Sequence, residues 1–346
     1  MVKRELKFGN LVAKPGEIKT GLLRGVDLDF PKIDFPVIIA NGSFDGPVLS
    51  ITAAIHGTEI TGVEIIRRVL TEEIDVKKLH GAIIAVPATN PLAFSWHEHA
   101  TPQDRTNMAM VYPGDPNGTI TRRMAHIVWT EIVSKTEYNI DLHHCGWPGL
   151  SYVWCKSELA KDPKTADKAM GMAKAVGLTL MHQGPVPFWG PGNYGSLTDQ
   201  TMMKGIPSVT IELDVPMGRI VNEIAESGVL GTLNAMRYLG MTDGEIKKQP
   251  KNIRVVPGEF TMRMDKIPES TKPGVRIFKK QPGEPIKKGE VIAIVYDIYG
   301  EKMEEVKALI DCYMWAQGPT LVSDKSRVGS IFGVWDPQKM QGKDTF

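Results

Sequence analysis

The chain has 346 residues, with 41 basic against 40 acidic side chains for a formal charge of +1, and 42% of its residues are hydrophobic. That balance gives no basic surface for a polyanion, which excludes nucleic acid as a partner, and no run of about 18 apolar residues is present to span a membrane. The length is beyond one compact domain and allows a large core with a smaller unit attached.

"MVKRELKFGN" at the start lacks the apolar core of a leader peptide. Cys145, Cys155 and Cys312 are too few and too scattered for a disulfide framework. The expectation is a soluble protein of the cytoplasm. Nothing in the sequence fixes whether the chain forms a homo-oligomer.

Residues 1–47 carry short apolar runs broken by Gly and Pro ("GEIKTGLLRGV", "FPVIIANG"), the texture of antiparallel strands. From there the pattern changes. "PVLSITAAI" (47–55) and "GAIIAVPATN" (81–90) are continuously apolar, as strands of a sheet covered on both faces are. Between them "GVEIIRRVLTEE" (62–73) spaces its apolar residues for an amphipathic helix. Further helices are predicted at 121–133, 165–177 and 195–205, and further strands at "YNIDLHH" (138–144) and "PSVTIELDV" (207–215). Strand and helix in alternation predict an α/β layered fold. "TDGEIKKQPKN" (242–252) reads as a linker, and after it come short apolar runs split by turn signals. The predicted division is a larger domain over 1–245, with N-terminal strands in 1–47, and a small β-rich barrel or sandwich over 246–346.

"HGTE" (56–59) stands just past the end of a predicted buried strand, where ligands and reactive groups collect in open α/β sheets. "EYNIDLHH" ends on His143 and His144, and "SVTIELDV" holds Glu212 inside an apolar run, where an unpaired carboxylate would be expensive. A catalytic zinc is held by three protein ligands, with a further carboxylate beside it to take a proton. His56, Glu59, a histidine of the 143–144 pair and Glu212 meet that recipe. Neighbouring side chains on a strand point to opposite faces, so only one of the two histidines can face a metal. If that one is His143, Asp141 shares its face and can orient an imidazole by a hydrogen bond.

The chain resembles the aspartoacylase and succinylglutamate desuccinylase family, zinc hydrolases related to the zinc carboxypeptidases, over nearly its whole length. "HGTE" is similar to that family's first metal motif, "DLHH" to its second, and "IPSVTIELD" to the segment with its catalytic glutamate. "YPGDPNGTITRRMAHIVWTEI" matches its connecting segment, and "PGEPIKKGEVIAIVYDIYGE" resembles the lipoyl-like β domain of many bacterial members. The resemblance implies an α/β fold, a zinc-carboxypeptidase-like mixed sheet flanked by helices with a C-terminal lipoyl-like β domain. It implies one Zn(2+) per chain on His56, Glu59 and His143, with Glu212 as general base, and hydrolysis of an amide bond in a small N-acyl compound.

One departure is notable. Where most members of the family carry an Asn-Arg pair that binds a substrate carboxylate, this chain has Ala109 and Met110. An apolar pair cannot make the charge-assisted fork of an arginine. Arg105, a few residues upstream, is the candidate for supporting the oxyanion. Residues 182–196, "HQGPVPFWGPGNYGS", have the composition of an active-site loop. Ala109, Met110, Trp189 and Tyr194 are therefore expected to border the substrate pocket, with Trp96, Met108, Trp147 and Phe188 nearby. The alternatives are a metallocarboxypeptidase, disfavoured by the missing carboxylate clamp, and a non-catalytic zinc-binding protein, disfavoured by the retained Glu212.

Overall fold

The computed structural model describes residues 5–27, 32–145, 148–184, 190, 192–318, 320–322, 326–327 and 329–334. Two short strands, β1 (Leu6–Phe8) and β2 (Leu11–Ala13), form a hairpin. Then come β3 (Glu17–Val26), β4 (Ile33–Asn41), β5 (Phe44–Ala53), α1 (Thr61–Arg68), β6 (His80–Val86), α2 (Pro91–Trp96) and α3 (Ile120–Ile127). After these the chain forms β7 (Tyr138–His144), β8 (Tyr152–Cys155), α4 (Pro163–Val176), β9 (Thr179–His182), α5 (Leu197–Lys204), β10 (Ser208–Leu213) and α6 (Asn222–Tyr238).

The remainder is almost wholly strand among the described residues: β11 (Glu259–Met262), β12 (Glu269–Ser270), β13 (Gly274–Phe278), β14 (Pro285–Ile286), β15 (Val291–Tyr296), β16 (Lys302–Lys307), β17 (Cys312–Gln317), β18 (Leu321–Val322), β19 (Ser326–Arg327) and β20 (Gly329–Val334). No helix among the described residues is long and apolar enough to cross a membrane.

A mixed sheet of twelve strands, in the order β14-β17-β20-β11-β9-β8-β10-β7-β5-β6-β4-β3, organises the molecule. Its middle is parallel, β10 on β7, β7 on β5 and β5 on β6. On one face, Ile65 and Ile66 of α1, Met172 and Val176 of α4 and Val229 and Met236 of α6 pack on Leu49, Ile51, Ile140, Leu142, Val209 and Ile211. On the other, Met124 and Ala125 of α3 join Phe35, Val37, Ile39 and Ile84. This double cover explains why β6, with Ile83 and Ala85 in one core and Ile84 and Val86 in the other, reads as an unbroken apolar run.

Beyond 258 the chain does two things. β11 pairs parallel with β9, and β20, β17 and β14 extend that edge of the same sheet. β16, β15, β13 and β18 form a separate four-stranded antiparallel sheet. A third core, with Tyr152, Trp154 and Met181 against Phe260, Met262, Met314 and Trp315, joins these C-terminal strands to β8 and β9.

The period-2 alternation of the central strands places the site. Leu49, Ile51 and Ala53 of β5, Ile140 and Leu142 of β7, and Val209, Ile211 and Leu213 of β10 all belong to the first core. Their alternates therefore share the opposite face: Ser50 and Thr52, Asn139, Asp141 and His143, Ser208, Thr210 and Glu212. Register aligns Thr52 with Asp141, Asp141 with Thr210, and His143 with Glu212. The sheet thus carries a polar row whose C-terminal end holds His143 and Glu212.

Candidate metal centre

At the end of β5 the chain turns sharply. Ala54 takes φ 49°, and the Asn90 N–H donates to the Ala54 carbonyl at 3.1 Å, tying the start of α2 to this turn. The Glu59 N–H then donates to the His56 carbonyl at 3.0 Å, which brings the i and i+3 side chains together. Gly57 is required here because a Cβ would lie 2.0 Å from the Ala93 carbonyl carbon of α2.

His56 Nδ1 lies 2.7 Å from one Glu59 carboxylate oxygen, and His143 Nδ1 lies 2.9 Å from the other. The far nitrogen of each ring is fixed by an acceptor. His56 Nε2 donates to Asn107 Oδ1 at 3.0 Å, and His143 Nε2 donates to Asp141 Oδ2 at 3.0 Å. Asp141 is held in turn by the Thr52 hydroxyl, which donates to Oδ1 at 2.7 Å. With both Nε2 atoms acting as donors, the Nδ1 atom of each ring faces an oxygen of the buried Glu59 carboxylate. Glu59 Oε2 has no aligned hydrogen bond despite its short contact to His143. Two imidazole nitrogens and a buried carboxylate brought this close form a donor set that could hold a cation and that suits zinc.

His99 stacks on His56 with ring centroids 3.7 Å apart. It also offers a ring nitrogen within 4.8 Å of ligand atoms of His56 and Glu59, so His56, Glu59 and His99 form a group that could hold a metal. His144 lies on the other side of its strand and accepts from the Thr61 N–H at 3.1 Å, at the start of α1.

The electrostatics follow the packing. Burial works against the charge on Glu59, but the His56 and His143 rings hold its carboxyl well below the usual carboxylate range. Burial likewise opposes charge on His143, yet the Asp141 and Glu59 carboxylates raise its ring well above the ordinary histidine value. Glu212 behaves differently. Burial pushes it up to about 8, with His143 pulling it down and Glu59 adding to the rise. Tyr152 is its register partner on β8, and burial together with the Glu212 carboxylate holds its hydroxyl well above the ordinary tyrosine value. A carboxyl placed beside the donor cluster and poised near neutral pH can both take and return a proton.

These residues line a cavity of about 610 Å³. Its walls include Ala109, Trp154, Leu197, Met217 and Trp315, and it contains a buried cation, Lys156. Lys156 Nζ lies 2.5 Å from Asp199 Oδ1 and 2.9 Å from Ser196 Oγ, and 4.1 Å from the centre of the Trp154 ring.

The structure thus brings His56, Glu59, Asp141, His143, Glu212 and Ala109 to one cavity. It does not bring Arg105, Met110 or Tyr194 to its lining. Arg105 is exposed with φ 54°, Tyr194 is 38% exposed, and Met110 packs against the second core. Trp96 is exposed on α2 and Met108 is buried in that core. Trp147, Phe188 and Trp189 lie outside the described residues. Sequence reasoning passed over His99, Asn107, Tyr152 and Lys156. Only His99 had a usable signal, a histidine in the short segment "HEHATPQDRTN" that follows α2.

Residues 45–239 match the model of the succinylglutamate desuccinylase/aspartoacylase catalytic domain. The chain belongs to this family. One relative is the N-alpha-acetyl-L-2,4-diaminobutyric acid deacetylase of Halomonas elongata, 24% identical over 260 residues that cover 73% of this chain and 72% of that protein. Among solved family structures, the succinylglutamate desuccinylase/aspartoacylase of Rhodobacter sphaeroides superposes with a TM-score of 0.78 at 20% identity, over 92% of this chain and 96% of that one. The product-bound ectoine utilization protein EutE (DoeB) of Ruegeria pomeroyi also gives 0.78, at 21% identity, over 94% and 98%. These likenesses show the fold of the family, a large mixed sheet flanked by helices.

Proposed function

We propose that this family member hydrolyses the amide bond of a small N-acyl compound, with one zinc ion per chain held by His56, Glu59 and His143 and with Glu212 as the general base. The observation that carries the reading is the convergence of two imidazole nitrogens on the Glu59 carboxylate, with Glu212 in register beside His143. Family membership and the Halomonas elongata relative, named a deacetylase, support the reaction class.

A zinc ion in such a site supplies Lewis acidity, which acidifies water toward a pKa of about 7 and polarises a carbonyl. The chain's own residues do the rest. Asp141 and Asn107 fix the two imidazoles so that Nδ1 of each faces inward. Glu212 receives the proton of the attacking water and then delivers it to the leaving nitrogen, as a group titrating near neutrality does best. Trp154, Leu197, Met217 and Trp315 in the cavity wall lower the polarity around these groups and strengthen each of these interactions.

Glu212→Gln keeps the shape and hydrogen bonding of the side chain but cannot accept the proton. Measured with zinc-loaded protein on an N-acetyl amine, turnover should fall by about two to four orders of magnitude, the scale of a lost general base, with zinc content unchanged. Normal turnover in that variant would place the base elsewhere.

A further inference from the structure

The cavity wall contains an ion pair that the metal centre does not use. Lys156 is 2% exposed and Asp199 is 3% exposed, so both charges are withdrawn from water. The pair is built on the start of α5. Ser196 Oγ accepts from the Asp199 N–H at 3.1 Å, and Asp199 Oδ2 accepts from the Ser196 N–H at 3.1 Å, a reciprocal cap that immobilises both side chains. Lys156 then donates to Asp199 Oδ1 and to Ser196 Oγ.

Counting donors shows what remains. An ammonium has three N–H groups, and two of them are used. Ser196 Oγ accepts twice, which leaves its own hydrogen as a donor. Neither the third Lys156 N–H nor the Ser196 O–H has an oxygen or nitrogen acceptor among the described residues, and both side chains line the cavity. Two adjacent, rigid donors beside Trp154, Leu197 and Trp315 select a ligand oxygen.

Charge decides which kind of oxygen. Asp199 already neutralises Lys156, and an added carboxylate would leave a net negative charge in a low-dielectric wall. A carbonyl, carboxamide or hydroxyl oxygen satisfies the donors without that cost. Trp154, over whose ring the ammonium sits, and Leu197 and Trp315 supply an apolar surround for the group that carries it.

We propose that Lys156 and Ser196, with Asp199 behind them, form a substrate subsite that binds a neutral oxygen acceptor on an apolar or aromatic half of the amide. The proposal rests on the amide-hydrolase reading above and names its substrate class.

The test uses three acetanilides that differ only at the para position: 4-acetamidobenzamide, N-acetyl-p-toluidine and 4-acetamidobenzoate. Binding to zinc-loaded Glu212→Gln protein is measured by calorimetry, and kcat/KM is measured with the unsubstituted protein. The carboxamide should bind at least about tenfold more tightly than the methyl and the carboxylate compounds. Adding Lys156→Met together with Asp199→Asn, which removes both charges and keeps a capping amide, should reduce the carboxamide-to-methyl ratio to below about threefold and leave the Kd of the methyl compound unchanged. Ser196→Ala, which retains the ion pair, should lose part of the ratio, and Ser196→Thr should keep it. This single-site pair stands as the test if the double variant fails to fold.

A ratio that survives these changes, a preference for the carboxylate, or no binding of any of the three overturns the subsite. The two readings fail separately. Lys156-dependent binding without any hydrolysis by the unsubstituted protein would remove the reaction and leave the subsite. Hydrolysis that ignores the para group would do the reverse.

Discussion

Glu59 presents one oxygen to His56 and the other to His143, and each ring is anchored from behind by a different residue. Its role is therefore to set the spacing of the two imidazoles as well as to carry charge. Purified protein should contain about one zinc per chain, lost to a strong chelator together with activity. His143→Ala should lower that content sharply, whereas His144→Ala should not, because His144 serves the Thr61 N–H. A full zinc load in His143→Ala would shift the third ligand to His99, and the His99→Ala variant would then be the one to lose metal. Asp141→Asn should weaken zinc affinity by about ten- to a hundredfold, since the amide can offer an N–H to His143 and favour the wrong tautomer. A competitive chelator titration reads that change.

At this scale the sequence singled out polar residues at strand ends, and the structure brings four of them to one cavity. His56, Glu59, His143 and Glu212 all follow or end apolar runs, which marks them. Lys156 follows "YVWC" with no pattern around it, and a lone lysine is far more often solvated than buried against an aspartate 43 positions away. Asn107 was hidden for a similar reason, because a cap on a single short turn looks like any loop asparagine.

Among elements, the helix at α1 was legible because it carries one clear period, and β6 because its apolar run is unbroken. α6 was not, although it spans seventeen residues. Its glycines at 228 and 231 read as breakers, yet both are contact points. A Cβ on Gly228 would lie 2.3 Å from Ile65 Cδ1, and one on Gly231 would lie 2.9 Å from Val176 Cγ1. The helix tolerates them because close approach to α1 and α4 replaces propensity with packing. β8 and β9, four residues each, were too short for a period to declare itself.

Gly57 gives the element-scale prediction. Alanine there drives a Cβ into the backbone of α2, which cannot yield as a side chain tip can. Gly57→Ala should lower the urea midpoint by the equivalent of about 1–3 kcal/mol and reduce zinc content, because the same turn carries His56 and Glu59. A variant with unchanged midpoint and zinc would show that α2 moves freely.

For the whole molecule, the boundary near 245 drawn from composition is not a boundary of the sheet. β11 joins β9, and Trp315 of β17 meets Tyr152 edge-on at 4.5 Å between ring centroids, within the cavity wall. A fragment ending at residue 245 should therefore bind a hydrophobic dye and unfold at lower urea than the full chain, since Tyr152, Trp154 and Met181 lose their cover. Equal stability of the fragment would make the C-terminal strands an appendage.

The same junction predicts a response to acid. His182 of β9 is fully buried, and burial pulls its ring down to about 4, with Glu259 of β11 opposing from 3.2 Å. The unfolded chain, with an ordinary histidine near 6.5, binds the proton first, so stability is full above about 6.5 and falls as pH drops toward 4. The loss attributable to this ring is on the order of 3 kcal/mol. His182→Gln should flatten the fall in unfolding free energy between pH 7 and 4.5, and an identical pH dependence in the two proteins would exclude the ring as its source.

The wall residue Trp315 has a consequence in time as well as in space. It lies 172 positions after His143 (315 minus 143), and chains are synthesised at about 5–20 residues per second. For roughly ten to thirty seconds of each molecule's birth, His56, Glu59 and His143 have all left the ribosome's catalytic centre while the strand that walls the cavity has not yet been made. A metal can reach the nascent chain while the donor cluster faces open solvent. The completed protein should accordingly take up zinc more slowly than a chain translated with zinc present, and a pulse of metal given during and after synthesis would measure the difference.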